Sequence, residues 1–186
     1  MSVSLFSLWL PILLSAMAVF VASWMVNVVI KWHDRDVSGL PDEDKVRDVL
    51  RPFALPPGDY VFPYAADVRE MGSDEFREKC ETGPTGFLTV YPNRVFAMGP
   101  ALGQWFLVSV AISGLAGFAA GVGLGPGAEF WTIFRTVSVV AFAGYAMGVF
   151  QSSIWFGRSW GYSLRSAVDG LIYAWLTAAI FAWLWP

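Results

Sequence analysis

A short charged stretch, WHDRD, follows a segment, 1–30, that contains no Asp, Glu, Lys or Arg. His33 is the only histidine of the chain, and Asp34 and Asp36 stand within three positions of it. One imidazole and two carboxylates are ligand types that bind a divalent metal ion. The competing interpretation is an interfacial histidine beside Trp32, with the charges marking the end of a membrane span. No second group of such residues stands at ligand spacing elsewhere, which favours the interfacial interpretation.

A second set of polar residues lies inside otherwise apolar segments. Placing a polar group there costs free energy, so such groups usually face protein or water. Arg165 and Asp169 are four residues apart, so they share a helix face and could form an ion pair. Together the set predicts a polar vestibule at one end of a helical bundle, able to hold a small ligand, a lipid headgroup or the polar tail of a partner. The alternative is partial hydration of groups near span ends. The vestibule residues are Asn27, Gln104, Gln151, Arg165 and Asp169.

Motifs that carry catalytic chemistry are missing from the sequence. We find no nucleophile elbow, phosphate-binding loop, dinucleotide fingerprint or histidine-based metal motif, so we expect neither an enzyme nor a bound cofactor. The single cysteine, Cys80, excludes an internal disulfide and a cysteine zinc site. A net charge of -3 without a basic stripe argues against nucleic-acid binding.

Composition indicates an integral membrane protein. Of 186 residues, 56% are apolar and 15% are charged, against about 25% charged in ordinary soluble domains. A spanning helix needs roughly 20 mostly apolar residues, and the first such run lacks the basic start of a cleaved signal peptide. The sequence therefore predicts a membrane all-α fold, a bundle of four transmembrane helices, at about 5–30, 103–123, 130–153 and 166–185.

The charged residues concentrate in an insert between the first two spans. The chain thus divides into transmembrane helix 1 at 1–30, an α+β insert at 31–100, and transmembrane helices 2–4 at 101–186. In the insert, a helix is predicted at about 42–51, and Ser73 is a candidate N-cap for another. The β-rich runs 60–62 and 87–91 could pair. The insert has few large apolar residues, so we expect it to have a small hydrophobic core and to need contact with the membrane or with the transmembrane helices.

The distribution of Lys and Arg near span ends predicts the orientation. One side carries nearly all of these residues and Arg135 alone belongs to the other side. The insert is therefore predicted to be cytoplasmic, with both termini outside, which also suits an unpaired cysteine. The flanking basic residues are Lys31, Arg35, Arg94, Arg158 and Arg165.

Small residues recur at GxxxG spacing, which lets membrane helices approach closely. Gly117 and Gly121 form one motif, and Gly144 and Gly148 form the other. The spacing predicts packing inside the bundle. The alternative is a face for a homo-oligomer or for other membrane subunits.

The motifs KWHDRD and LPDED after the first span, GPTGFLTV before the second and SSIWFG after the third resemble a bacterial family of small four-span membrane proteins. The resemblance implies this fold and a bacterial inner-membrane location, and it implies no chemistry. The sequence as a whole favours an accessory or assembly subunit of a larger membrane complex. The alternatives are a small oligomeric transporter or channel entered through the vestibule, and a metal-binding protein or enzyme that uses His33, Asp34 and Asp36.

Overall fold

A computed structural model describes residues 3–95 and 97–186. The chain forms two compact units, Met1–Val37 with Ala97–Pro186, and Ser38–Phe96. In chain order the elements are α1 (Trp9–Trp24), α2 (Glu43–Leu50), β1 (Gly58–Phe62), α3 (Val68–Met71), α4 (Asp74–Thr82), β2 (Gly86–Val90), α5 (Met98–Gly123), α6 (Phe130–Ala146), α7 (Phe150–Phe156) and α8 (Trp160–Trp183).

The first unit contains four helical stretches that are long and apolar enough to cross a membrane, as predicted. A 3₁₀ turn precedes α1 and a π-helical segment follows it, while a second 3₁₀ turn joins α6 to α7. The last stretch begins at Trp160, earlier than predicted, because the Ser159 side chain caps it by accepting from the Tyr162 N–H at 3.2 Å. The four stretches are Leu5–Ile30, Met98–Gly123, Phe130–Phe156 and Trp160–Trp183.

Small residues fill much of the bundle interior around a few large side chains such as Phe181 and Ile133, and many large apolar residues lie outside. Ala116, Ala141 and Ala178 are fully buried, whereas Leu107 and Val139 are exposed. A water-soluble bundle shows the opposite distribution, with its large apolar side chains inside. Close approach through small residues is typical of helices that associate in a bilayer.

The first GxxxG motif packs within the chain. A Cβ atom on Gly117 would lie 2.7 Å from the Phe181 ring, and one on Gly121 would lie 2.8 Å from the Val3 carbonyl oxygen. Glycine is therefore required where α5 meets α8 and the segment before α1.

The second motif is used only in part. A Cβ atom on Gly144 would lie 2.9 Å from the Ile112 side chain, so α6 approaches α5 closely at this position. Gly148 has open space around its Cα atom. Three of the four predicted glycines, Gly117, Gly121 and Gly144, thus pack closely against other residues of the same chain.

The second unit contains the predicted α+β elements. β1 and β2 pair antiparallel with Tyr60 opposite Leu88, and the Ser73 hydroxyl accepts from the Phe76 N–H at 3.1 Å to cap α4. The predicted helix at 42–51 is α2. None of the residues described at 38–95 is buried. This unit therefore has no interior of its own.

Candidate functional site

The segment that follows the first long helix is ordered by tight turns. Lys31 adopts a left-handed conformation, φ 57°, and its N–H donates to the Val26 carbonyl at 3.0 Å, which ends the helix at Ile30. The Asp36 N–H then donates to the His33 carbonyl at 2.9 Å. The second turn brings the His33 and Asp36 side chains together.

These two side chains meet two residues of α8 in an ionic cluster, defined here as His33, Asp36, Arg165 and Asp169. The Nδ1 atom of His33 lies 2.5 Å from Asp36 Oδ2, and its Nε2 atom lies 2.7 Å from Asp169 Oδ2. The Arg165 guanidinium donates to the other oxygen of Asp36. One imidazole thus bridges two carboxylates, and one carboxylate bridges an imidazole and a guanidinium.

The ionic cluster is shielded from solvent and electrically balanced. Side-chain exposure is 4% for Asp36, 9% for Asp169 and 17% for His33. Arg165 is one-third exposed and forms the outer edge. Two carboxylates face one guanidinium and one imidazole, so the cluster is neutral when His33 is protonated. Buried charges are tolerated when they are paired in this way.

With both carboxylates ionised, the geometry suits a protonated His33. An ionised carboxylate only accepts hydrogen bonds, and both ring nitrogens of His33 face a carboxylate, so both then carry a proton. Burial acts to lower the pKa of His33. The hydrogen bonds to Asp36 and Asp169, with the charges of both carboxylates, outweigh burial and raise the pKa of His33 above 6.5.

Asp36 is held in its ionised form. The hydrogen bond from Arg165 lowers the pKa of Asp36 below 3.8, burial opposes this shift, and the hydrogen bond from His33 adds to it. Arg165 therefore keeps Asp36 available as the acceptor for His33.

These opposite shifts predict the pH dependence of stability. The raised pKa of His33 gives stabilisation that is complete below pH 6.5 and is lost as pH rises through the folded-state pKa. The lowered pKa of Asp36 gives stabilisation that is present above pH 3.8 and is lost as pH falls through the folded-state pKa.

We expect the thermal midpoint of unfolding in nanodiscs to fall as pH rises above 6.5, and we expect this fall to be absent in His33→Gln. An equal alkaline fall in both proteins would contradict the role of His33.

Two buried polar atoms of the ionic cluster have no hydrogen-bond partner in the described part of the chain. They are Asp169 Oδ1 and Arg165 Nε. The Trp32 indole also lies near the Asp169 carboxylate. Asp169 therefore retains one acceptor oxygen, and Arg165 one donor nitrogen, that form no hydrogen bond within the ionic cluster.

An aromatic layer lies one helical turn deeper in the bundle. Trp105 of α5, Tyr145 of α6 and Tyr173 of α8 are neighbours, with ring centroids 5.7 to 6.1 Å apart. The Trp105 indole N–H donates to the Ser23 hydroxyl of α1 at 3.0 Å. All four long helices therefore contribute a side chain to this layer, which gives the ionic cluster a rigid support on its membrane side.

Of the five predicted vestibule residues, the structure brings two together. Arg165 and Asp169 belong to the ionic cluster. Asn27, Gln104 and Gln151 are exposed, and the Asn27 amide donates to the Ser23 carbonyl of its own helix at 2.9 Å. The sequence places these residues at similar depth but does not indicate which helix faces they occupy.

The pairing within α8 differs from the prediction. Among the described ion pairs, Arg165 contacts Asp36 and Asp169 contacts His33, and the expected Arg165–Asp169 pair does not form. The reason is that the turn at 33–36 presents a better partner to each of them. The metal interpretation also groups His33 with Asp36, and their three-residue spacing is the sequence signal for the contact between them.

The metal interpretation of the same stretch gains no support from the geometry. Both ring nitrogens of His33 are engaged by carboxylates, and Asp34 is exposed. Within residues 3–95 and 97–186, no group of three or more His, Cys, Asp or Glu is arranged to hold a metal ion.

Comparisons with protein-family models, with curated proteins and with solved structures find no match to this chain.

Proposed function

We propose that the protein is a non-catalytic subunit that accompanies or helps assemble a larger complex in the bacterial inner membrane. The observation that carries this proposal is the absence of any buried residue in the described part of Ser38–Phe96. Ordering a residue costs about 1–2 kcal/mol of backbone entropy, and a unit with no interior has little burial to offset this cost. An additional surface must stabilise it, and we assign that surface to a partner protein.

The ionic cluster supports this function by fixing the start of the connection. His33 and Asp36 stand at most five residues before Ser38, where the second unit begins. Their contacts with Arg165 and Asp169 hold this point against α8. A fixed last residue of the first unit reduces the freedom that the connecting chain loses on binding.

The proposal places Ser38–Phe96 in the cytoplasm and both termini on the outer side. Cys80 is the only cysteine and is partly exposed, so it is a natural reporter of this orientation. We expect a membrane-impermeant maleimide to label Cys80 in permeabilised cells and to leave it unlabelled in intact ones. A Cys80→Ser variant controls for background labelling. Labelling in intact cells would reverse the orientation.

Mild extraction tests the subunit proposal itself. A tagged copy expressed from its own locus should migrate in a complex larger than any homo-oligomer, and mass spectrometry should identify a fixed set of additional membrane subunits. Deleting the gene should then reduce the amount of that assembled complex. A clean homo-oligomer under the same conditions would contradict the proposal.

A second candidate function is an oligomeric transporter or channel. It is favoured by the unused acceptor of Asp169 and by Ser113 and Thr177, whose hydroxyls are fully buried in the bundle. Polar groups at such positions commonly mark the path of a solute. This function requires that the purified homo-oligomer moves a solute across liposomes and that Asp169→Asn slows the movement. Equal flux through protein-free liposomes would exclude it.

A further inference from the structure

The helix α2 carries an apolar face that no other described element of its own unit covers. Val46, Val49, Leu50 and Phe53 recur at the spacing of one helix face, with Phe53 in the 3₁₀ turn that continues α2. Val49 and Phe53 are each 67% exposed, and Leu50 is also exposed. The largest apolar side chains of this helix therefore point away from their own unit.

The polar residues of α2, with the Asp42 that precedes it, form charge pairs. Ion pairs at i,i+3 spacing join Lys45 to Asp42 at 2.8 Å and Arg51 to Asp48 at 2.7 Å. Such exposed pairs stabilise a helix only weakly. An isolated helix shorter than about 12 residues is marginal in water. A face in contact with another surface is what gives such a helix persistent structure.

The charge of the insert distinguishes between the surfaces that could cover this face. Ser38–Phe96 contains eleven Asp or Glu and seven Lys or Arg, which gives a net charge of -4. Amphipathic helices that bind anionic membranes are rich in Lys and Arg on their polar face, so the acidic insert is repelled by such a surface. A second copy carries the same acidic charge. A partner protein with basic groups matches the insert in charge.

We propose that α2 docks through Val46, Val49, Leu50 and Phe53 into an apolar groove, rimmed by basic side chains, on another protein of the complex. This inference rests on the proposed subunit function and names the element that makes the contact. The mode is that of an amphipathic helix in a groove, in which residues at i, i+3, i+4 and i+7 are the anchors. Glu43, in the first turn and three residues before Val46, lies beside this apolar face and then meets the basic rim.

Site-specific photocrosslinking in native membranes tests this contact with the full chain. A benzophenone amino acid replaces Val49 or Phe53, and Asp48 on the opposite face is the matched control. We expect one and the same heterologous protein to crosslink at 49 and 53 and not at 48. Crosslinks to lipid, to the long helices of the same chain or to a second copy would overturn the docking assignment.

The crosslinked protein is then purified, and its affinity for the full chain in nanodiscs is measured. Val49→Ser with Phe53→Ser should weaken binding at least tenfold, while Asp48→Ser should leave it within twofold. Raising NaCl should weaken binding because it screens the basic rim. Unchanged affinity in the double variant would overturn the role of α2 and leave the subunit proposal standing. If extraction of the wild type yields no partner, both proposals fail.

Discussion

Replacing His33 with Ala is expected to lower the free energy of unfolding by about 3 kcal/mol, the cost of breaking a buried ion pair by removing one partner. The Asp169 side chain is 91% buried, and its Oδ2 atom lies 2.7 Å from His33 Nε2. Without the imidazole, its charge stays in a shielded site beside the Trp32 indole and loses its contact with the cationic donor of His33. Asp36 is less affected because Arg165 still donates to it.

A double-mutant cycle isolates this contact. In the Asp169→Asn background the buried charge is gone, so His33→Ala should cost about 2 kcal/mol less than it does in the wild type. Asp34→Ala is the control for charge removal, because Asp34 is exposed and adjacent, and it should change stability by no more than about 0.5 kcal/mol. Unfolding in mixed SDS micelles, followed by tryptophan fluorescence, gives the four free energies. Additive effects of the two substitutions would contradict a direct coupling between His33 and Asp169.

The long helices could be predicted from the sequence because a membrane span depends on a local property, the length of an apolar run. The end of the first helix at Ile30 was predicted for this reason, and the Ser73 cap and the β1–β2 pairing follow from similarly local signals. The starts of α5 and α8 were predicted less well, at 103 and 166 against Met98 and Trp160. Both helices extend through Gly-, Pro- or Arg-containing sequence that lowers hydropathy without ending the helix.

The ionic cluster could be predicted only in parts. The sequence places 33–36 and 165–169 at the same end of the bundle, yet their pairing depends on the rotation of α8 about its axis. That rotation is set by contacts along its whole length, such as Gly170, where a Cβ atom would lie 2.7 Å from Ala146. Hydropathy does not report such rotation, and this is also why Gln104 and Gln151 were assigned to a vestibule although they are exposed.

Gly117→Val is expected to be the most disruptive of the small changes in the bundle, costing about 1–3 kcal/mol as an overpacked core position. Its Cβ atom would lie 2.7 Å from Phe181, and the Leu8 side chain lies at 3.4 Å. Phe181 and Leu8 are both fully buried, so neither side chain can move away from the new Cβ atom without losing packing contacts elsewhere. The expected consequence is a wider separation of α5 from α8 and from the turn that precedes α1.

Gly114→Val provides the matched control because it lies on the same helix, where a Cβ atom meets nothing within 4 Å. The change in helix propensity is nearly the same at both positions, so the difference between the two variants measures the clash alone. We expect Gly114→Val to unfold within about 0.5 kcal/mol of the wild type in the same SDS titration. Reducing Phe181 to Leu in the Gly117→Val background should recover part of the loss, because it shortens the group that the new Cβ atom meets. Equal destabilisation by Gly117→Val and Gly114→Val would show that α5 does not approach α8 as closely as this packing requires.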